Sequence, residues 1–156
     1  NPAPARPIPN NLLADIDILV PNESELSLLT GMPVTDATSA EPAAQALLGK
    51  GVQTVIVTLG SNGALLVTGE QTTHVPAFQI DAVDTTAAGD AFIGGLAAAL
   101  LRRKSLEEAV RYGNASGALA ATKFGAQPSL PTAGEVEKII SSLSGDRRSQ
   151  SKRVVS

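Results

Sequence analysis

Cysteine and tryptophan are absent from the 156-residue chain, histidine and methionine occur once each, and three Phe and one Tyr are its only aromatic side chains. Without cysteine there is no disulfide, no thiolate nucleophile and no cysteine zinc site. The single His74 excludes an HExxH helix or any other two-histidine metal site. So few rings leave little surface for stacking bases, and a formal charge of −3 shows no basic face, so nucleic acid is not an expected partner. No apolar run reaches the roughly 18 residues needed to span a bilayer, so no membrane partner is expected either. Two phosphate-binding motifs are missing as well. There is no GxxxxGK(S/T), and no GxGxxG follows a strand, which disfavours a Walker-type NTPase and a dinucleotide fold.

What remains is ordinary for a globular chain: 43% hydrophobic and 17% charged residues, enough length for one domain with a sizeable core. Asn1-Pro2-Ala3-Pro4-Ala5-Arg6-Pro7 carries neither an initiator Met nor a signal-peptide layout. It reads as an ordered turn inside a longer protein, so the chain is expected to be a fragment. The absence of cysteine fits a reducing compartment. The expected location is soluble and intracellular, cytoplasmic by default, with any targeting segment lying before residue 1. The polar end, from Gly145 through Arg147, Arg148, Lys152 and Arg153, reads as a flexible tail over 145–156 behind a domain over 1–144.

Asp17-Ile18-Leu19-Val20 suits a buried strand, and Asn22-Glu23-Ser24-Glu25 opens a helix that Gly31 closes. A second helix is expected from near Ser39 to Lys50, ended by Gly51. Thr54-Val55-Ile56-Val57-Thr58 is β-branched almost throughout and predicts a strand buried on both faces. A turn at Gly60-Ser61-Asn62-Gly63 leads to a strand over Ala64 to Thr68, and a further strand lies near His74-Val75. Ala88 to Leu101 is apolar all round, which marks a buried helix. Ser105-Leu106-Glu107-Glu108 is a capping box that starts a long helix expected to run to Gly125, and Thr132 starts the last one. Strands alternating with helices argue α/β with a central sheet.

Three segments carry chemistry. In Asp84-Thr85-Thr86-Ala87-Ala88-Gly89-Asp90, small residues run straight into the buried helix. Backbone N–H groups can converge there beside the positive end of the helix dipole, which makes an anion site. Asp90 in the first turn fits two readings on position alone, a base beside a phosphate pocket or a plain helix cap. Asn22 and Glu25, three residues apart, could hold hydrated Mg²⁺ or orient a phosphate, or could be no more than a capping box. Thr58-Leu59-Gly60-Ser61-Asn62-Gly63 could bring backbone and hydroxyls close to a nucleotide, or could be ordinary hairpin chemistry. His74, at a strand end, reads as structural.

In this order, the segments resemble the ribokinase-like, PfkB-type carbohydrate kinase family, with Asp84 to Phe92 similar to its specific C-terminal signature. The resemblance covers residues 1 to 143. Asn1 to Arg6 and Lys123-Phe124-Gly125-Ala126-Gln127-Pro128-Ser129 are similar to the members that phosphorylate ribose. It implies a three-layer α/β fold, here the C-terminal portion of the central sheet with flanking helices. It also implies transfer of the γ-phosphoryl group of ATP to the primary hydroxyl of ribose. In that scheme Asp90 is the general base, and Ala87, Ala88 and Gly89 form the amide anion hole. Asn22 and Glu25 match an Asn-x-x-Glu motif associated with Mg²⁺ and phosphate, Glu25 acting through water. Thr58, Leu59, Gly60, Ser61, Asn62 and Gly63 line the nucleotide, with Asn114 reaching it from the long helix. Asp84, Thr86, Ala120, Lys123, Gly125 and Ser129 match the site of an activating K⁺, mostly through backbone oxygens. The family's N-terminal half, which supplies much of the sugar site and a lid used in homodimer formation, has no counterpart in this sequence. The chain alone is therefore expected to be inactive. The alternatives are a kinase of another sugar or a nucleoside, or a non-catalytic nucleotide-binding fragment.

Overall fold

The β-branched run Thr54-Val55-Ile56-Val57-Thr58 forms the central strand β2 (Thr54–Thr58), with Val55, Ile56 and Val57 fully buried. The computed structural model describes residues 1–151, with side chains described through residue 142. In it β2 runs parallel to β1 (Ile18–Leu19) and antiparallel to β3 (Ala64–Thr68), which pairs antiparallel with β4 (Thr72–Val75). The sheet order is β1-β2-β3-β4.

Alternation of side chains divides β2 and β3 between two cores. Leu19, Val55, Val57, Leu65 and Val67 pack against α2 (Glu23–Thr30) and α3 (Ala37–Leu48) through Leu26 and Leu47. On the other face Ile56, Ala64, Leu66 and Val75 meet Phe92 and Leu96 of α4 (Ala88–Leu101) and Val110 and Tyr112 of α5 (Leu106–Ala121). Val136 of α6 (Ala133–Ser151) closes that second core. Helices, sheet, helices is the three-layer α/β arrangement that the family resemblance implies. Each fully buried aliphatic side chain contributes about 1.5–3 kcal/mol, so these two clusters dominate the stability of the fold. A short helix α1 (Asn10–Leu13) adds Leu13 to the first core. No helix among the described residues is long and apolar enough to cross a membrane.

Several boundaries differ from expectation. α3 begins at Ala37 because Asp36 accepts the Ser39 amide at 2.7 Å in a reciprocal capping box, and it ends at Leu48, before Lys50. α5 stops at Ala121, four residues short of Gly125. The Ala121 carbonyl accepts the amides of Val83 (2.7 Å) and Asp84 (3.1 Å), which docks the loop before α4 on the end of α5. Of the tail expected over 145–156, α6 spans the part to Ser151, and residues 152–156 lie outside the described residues.

α4 and α5 pack closely because α5 is small where α4 begins. A Cβ at Gly117 would lie 2.9 Å from the Ala88 carbonyl oxygen. That contact sets the position of the α4 N-terminus, which matters below.

Candidate active site

β1 and β2 end side by side. Past the last ladder pair, Asn22 and Thr58 form a parallel bridge, and the Thr58 amide donates to the Pro21 carbonyl at 3.0 Å. In open α/β sheets, ligands sit outside these carboxyl ends of the strands. Asn22 is also the N-cap of α2. Its Oδ1 accepts the Glu25 amide at 2.9 Å, and Glu25 Oε2 accepts the Asn22 amide at 2.8 Å. The pair is therefore a capping box, and the box fixes both side chains at the strand ends. Glu25 is 8% exposed, and its Oε1 accepts no hydrogen bond among the described residues.

α4 starts at the same end of the sheet. Its N-cap, Ala87, offers no side-chain acceptor. Asp90, in the first turn, does not cap the helix. Its carboxylate is exposed and has no hydrogen bond or ion pair among the described residues, which removes the plain-cap reading. First-turn amides lack partners within a helix. Of the three amides expected to form an anion hole, that of Ala88 already donates to the Thr85 carbonyl at 3.1 Å. Those of Ala87, Gly89 and Asp90 have no acceptor among the described residues. A Cβ on Gly89 would meet nothing within 4 Å, so the approach to its amide is open.

Two cavities meet at this point, sharing Asn22, Thr58 and Gly89 in their linings. The larger, about 540 Å³, extends past Gly60, Ser61 and Gly63 to Phe78, Phe92 and Asn114. That volume lies within the range of small-molecule sites. The smaller, about 150 Å³, holds Glu25, Thr86 and Asp90 together with Asn1, Ala3 and Ile93. An anion seated at Gly89 would thus lie between a nucleotide-sized groove and a small chamber that contains a carboxylate.

The loop leading into α4 is tied to the loop after α5 by one side chain. Asp84 Oδ1 accepts the Thr86 hydroxyl (2.6 Å) and amide (3.0 Å), and its Oδ2 accepts the Gly125 amide at 2.9 Å. The Thr86 hydroxyl, then the Gly125 and Thr86 amides, hold the Asp84 carboxyl below the usual carboxylate range. Lys123 turns its ammonium away to Glu135 Oε1 at 3.0 Å, so only its backbone can face the Asp84 loop. Glu135 is held down to about 2, chiefly by the Thr132 amide and hydroxyl and then by Lys123. The carbonyl of Ala120 accepts the Lys123 amide, and buried Ser129 donates its hydroxyl to the Ala126 carbonyl at 2.6 Å. Asp84 supplies an anionic carboxylate, and the main chain at Ala120, Lys123 and Gly125 carries carbonyl oxygens, which are the donor types a weakly hydrated monovalent cation takes. Among the described residues no group of three or more His, Asp and Glu converges. A divalent ion at this site would thus be held largely by substrate phosphates and water.

Not every expected residue faces the groove. Leu59 is 3% exposed and belongs to the α2/α3 core, because the strand alternation that turns Thr58 outward turns Leu59 inward. Asn62 lies outside the cavity lining, and its carbonyl accepts a bond from His74 at 2.7 Å. Ala87 is buried. Asn114 does line the groove, but its amide donates to the carbonyls of Val75 (2.9 Å) and Pro76 (3.2 Å). Phe78, Ile80 and Ala82 form one wall that sequence reasoning missed. They belong to an irregular connection without periodicity, which gave no signal. Gly117 and Ala118 were also missed, and their small size on a helix facing α4 was the available signal.

Residues 1–133 match the pfkB family carbohydrate kinases. The chain is 47% identical to the ribokinase of Haemophilus influenzae over 132 residues, 85% of this chain and 43% of that protein. It is 42% identical to the deoxyribokinase of Salmonella typhi over 142 residues, 90% of this chain and 46% of that one. The structure of Arabidopsis thaliana ribokinase complexed with ribose and ATP superposes with a TM-score of 0.82 at 40% identity, over 86% of this chain and 44% of the other. The chain thus spans a little under half the length of the relatives it matches.

Proposed function

Because the chain belongs to the pfkB family of carbohydrate kinases, we propose that it carries the nucleotide, phosphate and general-base portion of an ATP-dependent sugar kinase, with the primary hydroxyl of ribose as acceptor. The observation that carries this reading is the meeting of two cavities at Gly89, one the size of a nucleotide site and the other containing Asp90.

In this reading ATP lies in the larger groove along Gly60, Ser61 and Gly63, with its γ-phosphate against the open α4 N-terminus. The amides of Gly89 and its neighbours donate to the phosphoryl oxygens, and the helix dipole favours their charge. The sugar hydroxyl enters from the smaller chamber, opposite the leaving group. Asp90, which has no hydrogen-bond or ion-pair partner among the described residues, accepts the hydroxyl proton as the oxygen attacks phosphorus. Glu25 and Asn22, locked by their capping box, face the phosphates, and Glu25 Oε1, which accepts no hydrogen bond among the described residues, orients water around them. Mg²⁺ bound with ATP would neutralise charge on the phosphates. Asp84, Thr86 and Gly125, with Ala120, Lys123 and Ser129 contributing through the same loop, would hold K⁺, whose charge stiffens the turn that presents the amides. The deoxyribokinase match favours one further reading, 2-deoxyribose as acceptor. The two sugars differ only at the 2-hydroxyl.

The cation assignment is testable in a chimera that joins residues 1–143 to the portion of H. influenzae ribokinase that the match leaves uncovered. Potassium is expected to activate it, sodium to do so less well, and a bulky ammonium salt not at all, at constant ionic strength. Equal rates in all three salts would remove the cation site from this reading.

A further inference from the structure

The 3₁₀ turn Gly60–Asn62 joins β2 to β3 and, with Gly63, forms one edge of the larger cavity. Its shape is set from within: Leu59 donates to Gly63, Asn62 to Leu59 and Gly63 to Gly60, at 2.8–3.1 Å. Its placement against the rest of the cavity comes from the end of β4. Gly63, at φ 90°, sits so close to that strand that a Cβ there would fall 2.6 Å from the Ala77 nitrogen. Beside this contact, His74 Nε2 lies 2.7 Å from the Asn62 carbonyl oxygen. A carbonyl only accepts, so Nε2 carries the hydrogen and His74 is the donor. From the opposite side, Asn114 grips the carbonyls of Val75 and Pro76 at the same strand end. Both walls of the groove are thus referenced to β4.

We infer that His74 is a positioning residue for the nucleotide, acting through the Asn62 carbonyl to hold the Gly60–Gly63 turn at the edge of the groove. This rests on the reading of the larger cavity as the ATP site. His74 is exposed and outside the cavity lining, so it acts without touching the ligand. Its removal withdraws one hydrogen bond and little packing.

Two measurements on the 156-residue chain test this. In the ligand-free chain, amide exchange at Ser61, Asn62 and Gly63 is expected to speed up in His74→Ala and to return towards wild type in His74→Gln, whose side-chain amide can donate in the same place. Exchange at Ile56 and Leu66, in the ladder behind the turn, is expected to stay unchanged. Mg-ATP affinity is expected to fall roughly two- to tenfold in His74→Ala, the factor for one neutral hydrogen bond, and to recover in His74→Gln. Unchanged exchange in the turn, or equal ATP affinity in all three proteins, would overturn the inference. No Mg-ATP binding by the wild type would instead sink the reading of the cavity, while the exchange comparison would still decide whether His74 holds the turn.

Discussion

Asp90→Asn, placed in the chimera with H. influenzae ribokinase, is expected to lower kcat by about 10²–10⁴-fold, the usual contribution of a positioned general base. Asparagine keeps the shape of the side chain but cannot take a proton from the sugar hydroxyl. Asp90 makes no cap, no ion pair and no internal hydrogen bond among the described residues, so the substitution removes no contact that holds the fold. Melting temperature and ATP affinity should therefore stay close to those of the parent. Steady-state rates at saturating ATP and ribose, with a thermal melt alongside, check this. A variant that keeps more than about a tenth of the parent rate, well short of the loss a general base would cause, would show that Asp90 is not the base.

The second large effect concerns the chain by itself. Residues 1–156 are expected to bind ATP but to show no ribose-dependent ADP release at a kinase's rate. The smaller cavity contains Asp90 but is open, and the chain spans a little under half of the relatives it matches, so the groups that hold a sugar in place are expected from the portion it does not cover. Holding a hydroxyl in line with phosphorus can supply about 7–11 kcal/mol of the barrier, and without that positioning the carboxylate faces water. Slow ATP hydrolysis is the expected residue of activity. A coupled assay on the purified chain, with and without ribose, decides. Turnover of ribose at about 1–100 s⁻¹, the range of kinases, would show that the chain needs no complementary portion.

Much of the fold was legible because the periodicities are strong. The β-branched run at 54–58 could only be a strand buried on both faces, and the apolar run at 88–101 could only be a buried helix. Their alternation gave α/β with a central sheet, and the three-layer order came from the family resemblance. The candidate site was legible in part for a different reason. Small residues before a buried helix mark an open N-terminus, and the Gly89 and Asp90 amides there have no acceptor among the described residues. Asn22 and Glu25 form the capping box, which fixes both residues at the strand ends and leaves their phosphate role as a proposal. Less accessible was anything fixed by tertiary contact. The end of α5 depends on the Ala121 carbonyl meeting the 83–84 amides, which no local pattern announces. Leu59 was assigned with its neighbours to the nucleotide, although alternation from Thr58 turns it inward. The Phe78–Ala82 wall has no periodicity to read, and its place follows from tertiary contacts: Asn114 holding the Val75 and Pro76 carbonyls, Phe78 packing in the second core, and the Val83 and Asp84 amides meeting Ala121.

The measurement closest to the central claim is an NMR titration of the 156-residue chain with Mg-ATP, following backbone amides. The amides of Gly89 and Asp90 are expected to shift most, because a phosphate oxygen replaces water as their acceptor, followed by those of Gly60, Ser61 and Gly63 along the groove. The amides of Leu101 to Ser105, at the opposite end of α4, are expected to stay put. Saturable shifts confined to that far end, or none at Gly89 and Asp90 while ATP binds, would contradict a phosphate site at the start of α4.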